Sequence, residues 1–336
     1  MAPSLAAMCI GNQALFPTPS PTPPSSRRIA AIRLIIVSVK TAALFLLMCS
    51  PALADVQTCR EAVIKSDYAT AFKECSPLAK VGNAEAQYIL GLMYASGEGV
   101  PKDVVQAVTW YRKAAEQGDA SAQVNLGVMY ANGNGVPKDA VQAVLWYRKA
   151  VEQGDASAQF ALGFMYASGD GVPKDAVQAV SWYRKAAEQG DASAQLALGA
   201  MYAGGNGVPK DAVQALSWYR KAAEQGDASA QFNLGVMYAF GNGVPKDVVQ
   251  AVTWYRKAAE QGQAKAQGNL GAMYAGGEGV PKDYVTAYMW RNLAAAGGDE
   301  GSEIDKKARD LLEKHMTPAQ IAEAQKLSRE WKPKKD

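Results

Sequence analysis

The sequence predicts an all-α fold, a solenoid of stacked helix pairs, because one unit of 36 residues occurs six times. The copies begin at Asn83, Asp119, Asp155, Asp191, Asp227 and Gln263, and the sixth ends at Gly298. Each copy has one tryptophan at the same place, and these are Trp110, Trp146, Trp182, Trp218, Trp254 and Trp290. Repetition at this period is typical of arrays in which each unit packs only against its neighbours.

The first helix of each copy, which we call helix A, is followed by a glycine-rich turn. In the first copy Leu90 and Met93 belong to this helix, and the turn covers residues 96–99. Glycine tolerates the positive φ that a helix end requires, so the turn predicts where helix A stops. Pro101 then prevents helical structure from extending back through the turn.

The second helix, helix B, begins at Asp103, which together with Gln106 resembles a capping box. Its apolar residues are spaced at i, i+3, i+4, i+7, i+10 and i+11, which places them on one stripe. They are Val104, Ala107, Val108, Tyr111, Ala114 and Ala115. A single helix pair cannot cover this stripe, so we expect neighbouring copies to stack and the two ends of the array to need caps.

The N-terminal region predicts export. Residues 41–54 are uncharged and end in Ala-Leu-Ala, with Lys40 before them and Asp55 after them. This order is typical of a secretory signal peptide that is cleaved after Ala54. The alternative is a membrane anchor, but a spanning helix needs about 20 apolar residues and this run is shorter.

Residues 1–26 do not resemble a signal peptide, because five prolines are crowded among serines and threonines at residues 17–24. A start near Val37 would leave a compact leader at residues 37–54. We therefore assign residues 1–54 to the leader and interpret the upstream part as the result of a misplaced start codon.

The charge balance excludes a nucleic-acid-binding function. The chain has 35 basic and 32 acidic residues and a net charge of +3. Four of the basic residues and none of the acidic ones lie in the leader, which leaves 31 basic against 32 acidic residues in the remainder. Binding to phosphates requires a basic face, and this composition does not supply one.

Catalytic chemistry and cofactor binding are not predicted either. His315 is the only histidine in the chain, and it is expected on the surface of the C-terminal region. A histidine-based metal cage or a Ser-His-Asp site is thus improbable. Phosphate-binding glycine motifs are absent from the sequence, and we expect no cofactor and no metal.

Two cysteines remain after removal of the leader, Cys59 and Cys75. An even number of cysteines in an exported chain predicts one disulfide bond. The alternative is a pair of buried free thiols, which an oxidising compartment disfavours.

The repeated unit resembles the Sel1-like repeat family, whose members are relatives of the tetratricopeptide repeat. The resemblance rests on A-x-A-Q-x-x-L-G-x-M-Y-x-x-G-x-G-V-P-K-D followed by A-V-x-W-Y-R-K-A-A-E-Q-G, and it covers residues 83–298. It implies a right-handed superhelix of antiparallel helix pairs and a role as a scaffold or adaptor in protein complexes.

The flanks of the array are interpreted as caps. Residues 55–82 resemble a degenerate helix pair, in which the expected disulfide would join the two helices. Residues 299–336 form a C-terminal helical cap with a basic tail that we expect to be solvated. Within this cap, residues 317–320 predict a helix start, and its apolar face consists of Ile321, Ala324, Leu327 and Trp331.

Copies of the repeat differ mainly at their sixth, seventh and tenth residues, and the sixth and tenth share one helical face. By analogy with tetratricopeptide repeats, this face of helix A would line a concave groove suited to a peptide or helix. The alternative is that these residues pack between repeats. The candidate groove residues are Tyr88, Val124, Asn125, Phe160, Phe164, Leu196, Phe232, Asn233 and Asn269.

The sequence therefore predicts a bacterial periplasmic or secreted scaffold, not an enzyme, that binds a protein or peptide partner. We expect a monomer without a membrane span after signal cleavage. The alternative is a cell-envelope enzyme or binder acting on a cell-wall or β-lactam-type ligand, as implied by cysteine-rich relatives. Those relatives carry a cysteine pair in each repeat, whereas no full repeat here contains a cysteine.

Overall fold

The computed structural model describes residues 51–297 and 301–334, and these residues form sixteen α-helices without any β-strand. The predicted all-α repeat fold is thereby confirmed. In chain order the helices are α1 (Pro51–Ile64), α2 (Tyr68–Lys80), α3 (Ala84–Ser96), α4 (Val104–Glu116), α5 (Ala120–Asn132), α6 (Ala140–Glu152), α7 (Ala156–Ser168), α8 (Ala176–Glu188), α9 (Ala192–Gly204), α10 (Ala212–Glu224), α11 (Ala228–Phe240), α12 (Val248–Glu260), α13 (Ala264–Gly276), α14 (Tyr284–Ala296), α15 (Ser302–Glu313) and α16 (Pro318–Glu330).

The described chain forms two compact units, with Trp182 ending one and Tyr183 beginning the other. In the first unit, each helix from α1 to α6 packs against the helix that follows it. In the second unit, the same holds from α9 to α14, and α16 also packs on α14. The six repeats are the A–B pairs from α3–α4 to α13–α14, so most packing in each unit is between consecutive helices.

Both ends of helix A are determined by local sequence. At the start of α5, the Asp119 carboxylate accepts a hydrogen bond from the backbone N–H of Ala122 at 2.7 Å. At its end, Gly133 adopts a left-handed conformation with φ of 73°. Gly135 is left-handed as well, and a Cβ there would lie 2.5 Å from the carbonyl oxygen of Val104. The turn therefore needs glycine both for its backbone angle and for its approach to the preceding helix B.

Burial affects the electrostatics of the helix A caps. It raises the pKa of the Asp119 and Asp155 carboxyls, and the hydrogen bonds from backbone N–H groups counteract this shift only in part. In the first repeat the same cap is the neutral Asn83, whose side chain accepts from Ala86 N at 2.9 Å. A charge is thus dispensable at this cap position.

Helix B is capped by Asp103, which accepts hydrogen bonds from the backbone N–H groups of Val105 and Gln106, both at 3.0 Å. The reciprocal side-chain bond of a complete capping box occurs at α16 instead. There Thr317 and Gln320 cap one another.

A glycine in helix A allows the two helices of a repeat to approach closely. The ring of Tyr111 lies over Gly91, and the ring of Tyr219 lies over Gly199 in the same way. A Cβ at Gly199 would be 2.6 Å from the Tyr219 ring, well inside van der Waals contact. The tyrosines are nearly completely buried, so a large ring fills the space that the glycine leaves.

A chain of buried glutamine side chains links consecutive repeats. Gln123 is 4% exposed, and its amide donates to the carbonyl oxygen of Ala115 in the preceding helix B at 3.0 Å. Its side-chain oxygen accepts from Gln153, at the end of its own repeat, at 2.9 Å. Gln231 bonds in the same way to Ala223 and Gln261. These bonds satisfy polar groups that would otherwise be buried without partners.

A second link between consecutive repeats is formed on the exposed side of helix B. The Arg112 guanidinium donates to the Tyr130 hydroxyl of the next repeat at 2.9 Å, and Arg220 donates to Tyr238 at 2.8 Å. In the same helix as Arg112, the Lys113 ammonium nitrogen lies 4.3 Å from the centroid of the Trp110 ring. These contacts within and between repeats explain why charged and aromatic residues recur at the same places in each copy.

At the N-terminal end, Cys59 and Cys75 form the predicted disulfide bond between α1 and α2, and both are completely buried. Arg60 of α1 also forms an ion pair with Glu85 of α3 through two hydrogen bonds of 2.7 Å. The predicted cleavage site after Ala54 falls in the first turn of α1. Residues 1–50, including the leader start near Val37, lie outside the described residues.

No helix in residues 51–297 or 301–334 combines the length and the apolar character needed to cross a bilayer.

The sixth repeat differs from the others because it meets a cap instead of another repeat. Arg291 occupies the place of the buried tyrosine and forms a buried ion pair with Asp305 of α15. The sixth residue of this repeat is Gly268, where a Cβ would lie 2.9 Å from the Asp305 carboxylate. The cap therefore meets an arginine where the other repeats carry tyrosine, and a glycine where they carry a larger side chain.

The C-terminal segment beyond α16 contacts the array, while residues 332–334 remain exposed. The Trp331 ring packs edge-on against Trp290 with centroids 6.1 Å apart. Lys334 donates its backbone N–H to the carbonyl oxygen of Glu260 at 2.8 Å and its ammonium group to the Glu260 carboxylate at 2.7 Å. Of the expected apolar face of α16, Ala324 is buried and Ile321 packs beside it, whereas Leu327 is 39% exposed.

Candidate interaction surface on helix A

The residues that vary between copies lie on one side of helix A, which we call the variable face. At the sixth place of the repeat the side chains are half-buried. Tyr88 lies against Tyr111 with ring centroids 6.1 Å apart, and Phe232 lies against Tyr255 at 5.9 Å. Leu196 packs in the same manner on the cluster that contains Tyr219. Each of these side chains thus packs on one side against the helix B tyrosine, and its other side remains accessible.

The remaining sixth-place residues, Val124 and Phe160, are also half-buried. At the tenth place the side chain of Phe164 is 37% exposed, whereas Leu92 and Val236 are half-buried and pack against the neighbouring core. The variable face therefore combines packing against the core with accessible apolar surface.

At the seventh place three repeats carry asparagine, and the structure places two of these amides, Asn233 and Asn269, beside a helix B tyrosine. Asn269 is hydrogen-bonded to the Tyr255 hydroxyl of the preceding repeat. Asn233 and Tyr219 line one pocket. Asn125 is half-buried. Burial raises the pKa of Tyr219 to about 12. Its hydroxyl is neutral at pH 7 with or without this shift and can donate a hydrogen bond.

A fourth variable place was missed by the sequence analysis. The fourteenth residue of the repeat lies one turn after the tenth, on the same side of helix A. Phe240 occupies it in the fifth repeat and is 46% exposed. The corresponding residues in the other repeats are Ser96, Asn132, Ser168, Gly204 and Gly276. Variation at a spacing of four from the tenth place was the pattern that could have revealed it.

The histidine of the C-terminal region has a packing contact. The His315 ring stacks on the Tyr284 ring with centroids 5.6 Å apart. Within the part of the chain that the structure describes, no group of three or more histidine, cysteine or acidic side chains is placed to hold a metal ion.

Six consecutive matches to the Sel1 repeat cover residues 84–119, 120–155, 156–191, 192–227, 228–263 and 264–299. The chain belongs to the Sel1 repeat family. These boundaries agree within one residue with the period found in the sequence, so each match contains one helix A and one helix B. Proteins of this family are generally protein-interaction scaffolds and are typically non-catalytic.

A solved structure supports this assignment. A Sel1 repeat protein from Oxalobacter formigenes is 39% identical, with a TM-score of 0.65, and the alignment covers 72% of this chain and 96% of that one. A protective antigen of uropathogenic Escherichia coli with an SLR fold is 29% identical over 90% of this chain and 94% of its own, with a TM-score of 0.40. The immunity protein Pa5087 from Pseudomonas aeruginosa is 24% identical over 68% and 81%, with a TM-score of 0.41. None of the curated proteins matches this Sel1 repeat protein.

Proposed function

We propose that this Sel1 repeat protein is an exported scaffold that binds a peptide or protein partner on its variable face. One observation carries the proposal: the copies are nearly identical in their buried residues but differ along one partly accessible side of helix A. Packing alone would favour the same residues in every repeat, because each repeat meets an equivalent neighbour.

The chemistry of the variable face fits a polypeptide partner. It offers accessible aromatic rings, such as those of Phe164 and Phe240, together with the amide of Asn233. Aromatic anchors surrounded by a few hydrogen-bonding groups are typical of protein interfaces. Rings that are already held by a neighbouring tyrosine, as Phe232 is, lose little side-chain freedom when a partner binds.

Export is supported by the leader and by the disulfide bond. Cys59 and Cys75 are bonded in a helix pair at the end of the array, and stable disulfides are typical of exported proteins. We expect the N-terminal residue of the mature protein to be Asp55. N-terminal sequencing of protein isolated from the cell envelope or the medium tests this, and a mature chain that retains residues before Ala54 would contradict it.

The binding surface is tested by crosslinking in living cells. A photoreactive amino acid placed at Phe164 or Phe240 should produce covalent adducts with a partner, whereas the same group at Val141 or Val249 should not. These valines are suitable controls because they lie on the opposite helix of the repeat and are 56% and 58% exposed. Equal or stronger crosslinking from the valines would place the interface on helix B and refute the proposal.

A further inference from the structure

A pocket of about 270 Å³ lies on the variable face where the fourth repeat meets the fifth. Its walls include Ala203 of α9, Tyr219 of α10, and Asn233 and Val236 of α11. Lys210 and Asn242, from the turns of the two repeats, also line it and are exposed. The volume is below the range of typical drug-sized ligand sites and suits one or two amino-acid side chains.

The pocket offers hydrogen-bond donors together with one positive charge. Lys210 supplies an ammonium group, Asn233 and Asn242 supply amides, and Tyr219 supplies a hydroxyl. None of the residues that line the pocket is acidic. Asp211 is adjacent to Lys210 in the chain, but its carboxylate accepts hydrogen bonds from Val213 N at 2.9 Å and Gln214 N at 3.0 Å, as the cap of α10. The local charge therefore favours an anionic group.

An accessible aromatic ring lies one helical turn from this pocket. Phe240 follows Val236 at a spacing of four, so both are on the same side of α11. Phe240 is 46% exposed, and its equivalent in the fourth repeat is Gly204, which leaves the neighbouring surface without a side chain. An apolar side chain of a partner could pack against this ring while an adjacent group enters the pocket.

We infer that the pocket and Phe240 form a specificity site, the Lys210 site, for a polypeptide segment in which an acidic side chain adjoins an apolar one. The carboxylate is held by Lys210 and the amides, its methylene groups contact Val236, and the apolar neighbour packs against Phe240. This inference rests on the proposed function, and it adds a chemical class of partner and a place on the variable face.

The test uses a random peptide library displayed on phage and selected on the purified protein. We expect the enriched peptides to share an acidic residue next to an apolar one. The tightest peptide is then synthesised with its glutamate or aspartate and with the matching amide residue. Fluorescence anisotropy should show binding of the amide version about fivefold weaker, the scale of one exposed charge pair together with its hydrogen bonds.

Matched variants locate the site. Lys210→Glu should weaken the acidic peptide by at least about fivefold, whereas Lys246→Glu, at the same place in the next repeat, should leave its affinity unchanged. Phe240→Ser should also weaken binding about fivefold and keep the melting temperature close to that of the wild type, because about half of this residue is already exposed. Thermal scans of all three variants establish that they are folded.

Selection of peptides without acidic residues, selection of no peptide at all, or equal effects of the two lysine variants would overturn the Lys210 site. Failure of the proposed function looks different. In that case the crosslinks from Phe164 and Phe240 are absent in cells as well. If these crosslinks form but Lys210→Glu is without effect, the variable face binds partners and only the specificity site is wrong.

Discussion

The fifth and sixth repeats have helices of the same length and the same glycine-rich turns, yet they bury different chemistry. In the fifth repeat the Tyr255 ring lies over Gly235 and against Phe232. In the sixth repeat Arg291 takes the place of the tyrosine and reaches Asp305 of the cap. The comparison shows that a repeat keeps its backbone when its neighbour changes, while the residues that face that neighbour are replaced as a set.

The largest expected effect comes from breaking the ion pair that joins the sixth repeat to the cap. Asp305→Ala leaves Arg291 buried without its acidic partner, and we expect a loss of about 3–5 kcal/mol in the free energy of unfolding. Chemical denaturation followed by circular dichroism measures it. The double variant Arg291→Met/Asp305→Leu should recover most of this loss, because no charge is left buried. A single variant as stable as the wild type would show that the pair does not hold the cap.

The N-terminal end is closed by a covalent bond instead of an ion pair, and its removal should have the next largest effect. The disulfide joins cysteines 16 residues apart in sequence. For a loop of this size, restriction of the unfolded chain contributes about 3 kcal/mol. Cys59→Ser should therefore lower the melting temperature of oxidised protein, and a reducing agent should remove the difference. Titration that finds two free thiols in the mature protein would refute the bond.

A smaller effect is expected from filling the contact between the helices of one repeat. A Cβ at Gly235 would lie 2.6 Å from the Tyr255 ring, so Gly235→Ala should cost about 1–3 kcal/mol by overpacking. At Gly271 the nearest atoms are the Arg291 Cγ at 3.0 Å and the carbonyl oxygen of Ala287 at 3.1 Å, so the overlap is smaller. Gly271→Ala is the matched control and should cost less. Thermal scans compare the two, and a larger drop for Gly271→Ala would reverse the interpretation of this contact.

The smallest effect concerns the charge on the helix A caps. Because burial raises the pKa of Asp119 in the folded protein, the unfolded chain releases this proton first. The contribution of this group to the free energy of unfolding therefore falls as the pH rises from about 4 through the raised pKa. Above the raised pKa this contribution is constant. Asp119→Asn should flatten that dependence and leave stability at pH 7 equal or slightly higher. A loss of about 1 kcal/mol at pH 7 would show instead that the charge is needed for the cap.

Sequence reasoning located the helices because their determinants are local. Asp103 and Asp119 each cap the helix that follows them, and Gly133 ends a helix through its own backbone angle. It also found the disulfide, since only two cysteines remain beyond the leader. It missed the exposed Phe240, although that residue varies at the right spacing, because the other copies carry small or polar residues there.

The sequence by itself determined the period, the helix boundaries and the family of this protein, because these depend on residues that are neighbours along the chain. Only the tertiary structure decided what each variable residue touches. Phe232 rests on Tyr255, Asn233 shares a pocket with Tyr219, and Gly268 makes room for Asp305. Such contacts join residues from different helices, and their distances depend on side-chain volumes across a helix interface, which a periodic pattern does not specify.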